Sequence, residues 1–265
     1  MTKKENFEIE EGEDNFVCFL DILGFSALIG CRDRRHRSRR LKEIVQKLRE
    51  QSEFDSKAHP WLSYIFISDT IIIACKQEYF LQLVWKVCQI QVNLLEIGFA
   101  SRGGIDFGDV FTIPMSDDGQ PRPMGLNIFG CAYINAYEME KQSAKYPRIL
   151  LSPSARTAGE AVDQRVSLLI DQDQDGWAYV NPFKRIVHYE RLAKQSLHDN
   201  YNTLKKKIRE LEKWAKEIEK QIGDTKERQP VAEKWRWLKF KINIEIAAIC
   251  ALDPAACKSQ NSKSG

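Results

Sequence analysis

Two aspartates sit where a chain seldom leaves a charge. Asp21 lies in "FLDILGFSALIG", residues 19–30, and Asp69 in "YIFISDTIIIAC", residues 64–75; each is the single acid of an apolar run. A buried carboxylate is costly unless a cation, strong hydrogen bonds or a proton relieves it. Two carboxylates brought together with a backbone carbonyl suit a hard divalent cation, Mg²⁺ or Mn²⁺. Magnesium bound in this way completes its shell with substrate phosphates. The turn after Asp21, with Gly24 and Phe25, presents backbone N–H groups at a helix start, which is a cradle for phosphate. Together these features point to nucleotide chemistry. From spacing alone, the plainer reading of two hydrogen-bonded turn residues stands ahead.

The elements that must position these acids are readable from periodicity. Residues 16–23 predict a strand buried on both faces, followed by a helix with Ser26 at its N-cap. Residues 61–67 and 70–75 predict two strands joined tightly at Ser68-Asp69. Residues 78–97 predict a helix with Leu81, Val84, Trp85, Cys88, Val92 and Leu95 inward. "ASRGGIDFGDVFTI" reads as strands broken by glycines, residues 114–124 as a loop, and "CAYINAYEMEKQSA" as a helix. "RILLSPSA" reads as a strand ending on a helix cap, and "GWAYVNPF" as one more strand. The order βα, ββ, α, ββ, α, β favours an α+β fold, an antiparallel-rich sheet with helices on one face. The run Arg32 to Arg40 holds six arginines. It reads first as a solvated loop or helix start, and second as a phosphate or partner site.

Composition changes near residue 190. Leu197, Tyr201, Leu204, Ile208, Leu211, Ala215, Ile218 and Ile222 form a heptad seam, and a second helix is expected over 231–251. The expected division is a flexible segment 1–15, a catalytic domain 16–190, a helical hairpin 191–253 and a disordered tail 254–265. The hairpin packs on the domain or dimerises; both readings stand. The chain has 265 residues, 43% hydrophobic and 29% charged, with a net charge of +3. That charge is too small to argue for nucleic acid. No apolar run approaches the roughly 20 residues of a membrane span. The polar N-terminus is no secretory signal, and the seven cysteines, without CxxC spacing, read as reduced thiols of a cytoplasmic protein.

The motifs taken in order resemble the class III nucleotidyl cyclase catalytic domain. "FLDILGFS" resembles the metal-binding strand and turn, "FISDTIIIAC" the hairpin of the second metal aspartate, with Ser68 for the usual glycine. "SRGGIDFGDV", "NIFGCAYINAYEME" and "RILLSPSA" resemble the family's later segments, covering about residues 16–180. The resemblance implies two Mg²⁺ or Mn²⁺ ions per site on Asp21, Asp69 and the Ile22 carbonyl. It implies attack of a ribose 3′-hydroxyl on the α-phosphate, and homodimers with composite active sites.

Departures from the pattern narrow the substrate. The purine-reading position four residues before Asp69 is Ile65, which cannot read a purine edge by hydrogen bonds. The second such position is Asn127. Asn135 keeps the helix asparagine, but the segment after Gly130 has one residue too many. The transition-state arginine therefore falls at Met139 or Glu138; either another cation, Arg102 or Lys141, substitutes, or the active site differs. These features resemble the pyrimidine cyclases of the bacterial Pycsar anti-phage systems. That implies cyclic UMP from UTP, or cyclic CMP from CTP, acting on a separate effector protein. Tyr64, Ile65 and Asn127 are the candidates for the base pocket, although strand alternation puts Ile65, not Tyr64, on the side of Asp69. The alternatives are a purine (ATP or GTP) cyclase and a catalytically silent cyclase-fold binding module.

Overall fold

The computed structural model describes residues 12–58, 62–114, 126–185 and 229–252, with short pieces between 209 and 223. Strand β1 (Glu13–Leu23) lies between β3 (Thr70–Lys76) and β4 (Ala100–Pro114), antiparallel to both. β2 (Leu62–Ile67) pairs with β3 through the two-residue turn Ser68-Asp69. Beyond β4 come β6 (Ile149–Leu151), β8 (Ala178–Val180) and β7 (Ile170–Gln172). β5 (Leu126–Phe129) pairs with the far end of β4. The result is an eight-stranded sheet in which only β4 and β6 run parallel. This is the α+β, antiparallel-rich fold expected from the sequence.

β1 is apolar on both faces because both are covered. Phe16, Cys18, Leu20 and Ile22 join Ile71, Ile73, Tyr64 and the inner side of helix α3 (Phe80–Glu96) in the main core. Helices α2 (Arg34–Ala58) and α5 (Pro153–Val162) pack on that face too, through Ile44 and Ala155. Val17, Phe19, Ile72 and Ala74 face the other way and meet Ala132 and Ala136 of α4 (Cys131–Glu138). So α4 departs from the expected one-face arrangement. Each buried Leu, Ile, Val or Phe is worth about 1.5–3 kcal/mol, so a core of this size tolerates one half-buried carboxylate at the end of β1.

Several local expectations are corrected. The short helix α1 (Phe25–Ile29) is capped by Gly24, at φ 84°, and not by Ser26; its backbone turn needs the left-handed conformation glycine adopts freely. α2 takes its cap from Asp33, whose carboxylate accepts from the Arg35 and His36 amides at 2.9 and 3.1 Å. From Arg34 on, the arginine run is thus the first turns of a helix; Arg37 closes α1 by donating to the Ile29 carbonyl at 3.0 Å, and Arg40 lies over the Phe99 ring. β4 is one continuous strand of 15 residues, unbroken by its glycines. Gly104 is there for space: a Cβ would lie 2.6 Å from the Ala136 carbonyl oxygen. α4 can therefore sit directly on the sheet. The helix continues as a π-helical turn, Met139–Ser143, closed by the Ala144 amide on the Met139 carbonyl at 2.9 Å. Cys18, Cys31, Cys75, Cys88 and Cys131 are free thiols; Cys250 is disulfide-bonded, which corrects the reading of seven reduced cysteines.

The last helix, α6 (Gln229–Leu252), packs on the sheet of its own chain. Leu238 and Ile242 are buried with Val92, Leu95, Ala100 and Phe183, and Leu23 and Trp235 pack against them. Polar ties fix its rotation. The Trp237 indole donates to Asp173 at 3.0 Å, Lys241 pairs with Asp173 at 3.3 Å, and Asn181 donates to Glu245 at 2.7 Å. Arg148, wholly buried, pairs with Asp173 and Asp175 and faces the Trp237 ring. Most of the expected heptad helix, 197–222, lies outside the described residues, as do the segments 1–11, the greater part of the loop 114–124 and the tail from 253.

Candidate active site

Asp21 and Asp69 are neighbours. Asp21 stands opposite Thr70 of β3 on one side and Arg102 of β4 on the other. Asp69 is the second residue of the hairpin turn, and its carbonyl accepts from the Ile22 amide at 2.9 Å. Ser68 before it has φ 60°, which matches the class of two-residue turn that takes glycine at its first position.

Three further charges complete the cluster. Arg102 reaches Asp21 Oδ2 with Nε at 3.7 Å and Glu140 Oε1 with Nη2 at 2.6 Å. Glu140 is 6% exposed and belongs to the π-helical turn. Lys234 enters from α6. Burial is the main force pushing the Asp21 carboxyl up, to about 6; repulsion from Glu140 and then Asp69 adds to it, while Arg102 and Lys234 oppose. Burial and the Arg102 guanidinium hold the Lys234 ammonium below the ordinary lysine value, against attraction from Asp21 and Glu140. Three acids thus face two cations, and Asp21 carries the unrelieved charge.

That imbalance is what a divalent cation would correct. Among the described residues no three His, Cys, Asp or Glu side chains form a closed metal cage. Two carboxylates with open positions are the donor set of a magnesium ion shared with substrate phosphates. The residues present fit such an ion.

The other expected site residues separate into two groups. Gly24 is open on its Cβ side and Phe25 packs against the main core, both in the turn after Asp21. Ile65 joins the Val17, Phe19 and Ile72 cluster on the face of Asp21. Tyr64 is 7% exposed in the main core, on the opposite face, so the strand pleat takes it away from any base pocket on the Asp21 side. Asn127 lies in β5 opposite Ile113. That is about 35 Å along β4 from Arg102 at roughly 3.3 Å per residue. Asn135 donates to Asp106 at 2.8 Å; Asp106 is buried and also accepts from the Ser152 and Ser154 hydroxyls. Met139 is buried against Gly104, and Lys141 lies over the Tyr137 ring.

Sequence reasoning missed Glu140 and Lys234. The signal for Glu140 was the surplus residue after Gly130, because a π turn is how a helix absorbs one. Lys234 had no local signal.

No protein-family model matches the sequence, and no curated sequence matches it. Among solved structures the chain is similar to the adenylyl cyclase CyaB from P. aeruginosa, at 15% identity and TM-score 0.49, over 65% of this chain and 95% of that one. It is similar to a bacterial light-regulated adenylyl cyclase, at 15% identity and TM-score 0.48, over 66% of this chain and 53% of that one. It is also similar to an adenylate cyclase from Trypanosoma brucei, at 13% identity and TM-score 0.45, over 66% of this chain and 92% of that one. Likenesses at this identity and score assign no activity to the chain.

Proposed function

We propose that this chain is a nucleotide cyclase that converts UTP, or less favourably CTP, into the 3′,5′-cyclic monophosphate and pyrophosphate. The observation that carries the reading is the meeting of Asp21 and Asp69 at the end of β1, tied through Ile22. The chain's own work is positional. The sheet holds both carboxylates and the Ile22 backbone in one place, and the Gly24-Phe25 turn offers amides beside them. Bound at Asp21, Asp69 and the Ile22 carbonyl, Mg²⁺ or Mn²⁺ would favour the alkoxide of the ribose 3′-hydroxyl and neutralise the departing pyrophosphate. The new bond joins the 3′ oxygen to the α-phosphorus, and the bond to the β-phosphate oxygen breaks. Much of the rate comes from holding these atoms in line.

Ile65 supports the pyrimidine reading, since a purine edge finds no hydrogen-bonding side chain there. The distance between Asn127 and Asp21 within one chain supports a homodimer with composite sites, each built from the acids of one protomer and the β5 region of its partner. The product would act on a separate effector in anti-phage defence, in the cytoplasm. No described helix is long and apolar enough to cross a membrane. One observation favours the second reading, a catalytically silent module: Arg102 is engaged by Glu140 and α4 supplies no cation.

Product analysis separates these readings. The purified chain is incubated with ATP, GTP, CTP and UTP in turn, with Mn²⁺ or Mg²⁺, beside Asp21→Asn and Asp69→Asn. A cyclic pyrimidine nucleotide lost in both variants is the expected result. A cyclic purine product rejects the base assignment, and no product from a folded dimer favours the silent module.

A further inference from the structure

We propose that Lys234, on the C-terminal helix, is a phosphate-binding residue of the active site, contacting the triphosphate of the nucleotide and the pyrophosphate released from it. The inference rests on the nucleotide-cyclase reading of the Asp21–Asp69 site and assigns a residue of α6 to it.

The rotation of α6 places the side chain. Trp237, Leu238, Lys241, Ile242 and Glu245 all engage the body of the chain, by burial or by the bonds to Asp173 and Asn181. Lys234 precedes them at the same helical spacing, four residues before Leu238, so it continues their inward face by one turn. That turn lies over the end of β1. Leu23 and Ala100 are paired across β1 and β4 and pack in the cluster that holds Trp235 and Leu238. Asp21 and Arg102 are paired two residues along the same strands, and therefore on the same face. Lys234 is half-buried there, in the attraction of Asp21 and Glu140. Among the described residues, none forms an ion pair with it.

The charge demand is equally specific. A triphosphate needs cations beyond the metal-binding acids. Arg102 is held by Asp21 and Glu140. The π turn offers Met139 and Glu140 to the sheet, both buried. Lys234 is the ammonium at this site without a close acidic partner among the described residues. A lysine serves phosphate as a compact point charge.

The test is calorimetric titration of the full chain, with Mn²⁺ alone and with inorganic pyrophosphate in the presence of Mn²⁺. Lys234→Ala is expected to bind Mn²⁺ as the wild type does and pyrophosphate about tenfold more weakly, the size of one charge-assisted hydrogen bond. Lys234→Arg should recover most of that loss, which a purely structural role for the side chain would not explain. Equal pyrophosphate binding by Lys234→Ala and wild type overturns the inference and leaves the cyclase reading standing. A wild-type chain that takes up neither Mn²⁺ nor pyrophosphate overturns both. Mn²⁺ uptake that disappears in Asp21→Asn supports the site on which the inference rests.

Discussion

The Ile22 amide donates to the Asp69 carbonyl at 2.9 Å. One backbone hydrogen bond thus joins the tip of the β2–β3 hairpin to the strand that carries Asp21. The backbone positions that carry the two carboxylates are set by main-chain bonds, and neither Cα can shift without opening the edge of a ladder. This is the sort of fixed frame in which charge stabilisation acts without reorganisation.

Asp21 gives the protein a pH-dependent liability when no metal is bound. Its carboxyl is pushed up to about 6 from 3.8. Below 3.8 it is protonated folded or unfolded and has no effect. Between 3.8 and about 6 the unfolded chain loses its proton first, so stability falls as pH rises. Above about 6 the full penalty stands. Asp21→Asn is expected to be more stable than the wild type by about 2 kcal/mol at neutral pH, less than the roughly 3 kcal/mol that the full displacement would give because the carboxyl is partly open to water, with the gap closing toward pH 4, as read by urea denaturation in chelator. Added Mn²⁺ should raise the melting temperature of the wild type alone.

Glu140→Gln tests the Arg102 pairing. Its removal leaves Arg102 half-buried beside Asp21 alone, and a loss of roughly 2 kcal/mol is expected. That is less than the 3–5 of a fully buried pair, because Arg102 is partly exposed. With the repulsion gone, the Asp21 carboxyl drops toward its ordinary value. Manganese binding measured against pH should then persist to lower pH than in the wild type. An unchanged profile would show that Glu140 does not act on Asp21.

Ser68 holds φ 60°, a conformation that costs a residue with a Cβ about 1–2 kcal/mol. Glycine relieves that cost but loses more backbone freedom on folding. Ser68→Gly is therefore expected to stabilise by roughly 0.5 kcal/mol. A rise of a few degrees in the thermal midpoint checks it, and no effect or a fall counts against a strained turn.

Gly104→Ala should act through α4. The added methyl would meet the Ala136 carbonyl and the Met139 side chain, both under 3.0 Å. A loss of about 1–3 kcal/mol is expected from forced separation of helix and sheet. Because Glu140 comes later in the same helix, the manganese-binding pH profile should move as well. Calorimetry on a variant that remains folded reads both.

The local parts of the site were legible in the sequence because each rests on a short pattern. β1, the β2–β3 hairpin and α3 are set by runs of apolar residues with turn chemistry between them. The side of the sheet on which Ile65 falls is set by the two-residue pleat. The glycines of β4 misled, since Gly104 marks close approach of a helix rather than a break, and nothing within β4 distinguishes the two. β7, only Ile170–Gln172, is too short to carry a period. Lys234 was invisible because its place depends on how α6 docks, through Trp237 with Asp173 and Glu245 with Asn181, contacts that span 64 residues of chain.

The π-helical turn makes chain length a determinant of the site's chemistry. From Met139 onward each side chain is out of step with the preceding α4 by one residue. Excising one residue there would restore regular winding and swing the later side chains by about 100°. Glu140 would leave the Arg102 guanidinium, and a different side chain would face Asp21. The polarity of this corner is therefore set by the insertion of a single residue into α4.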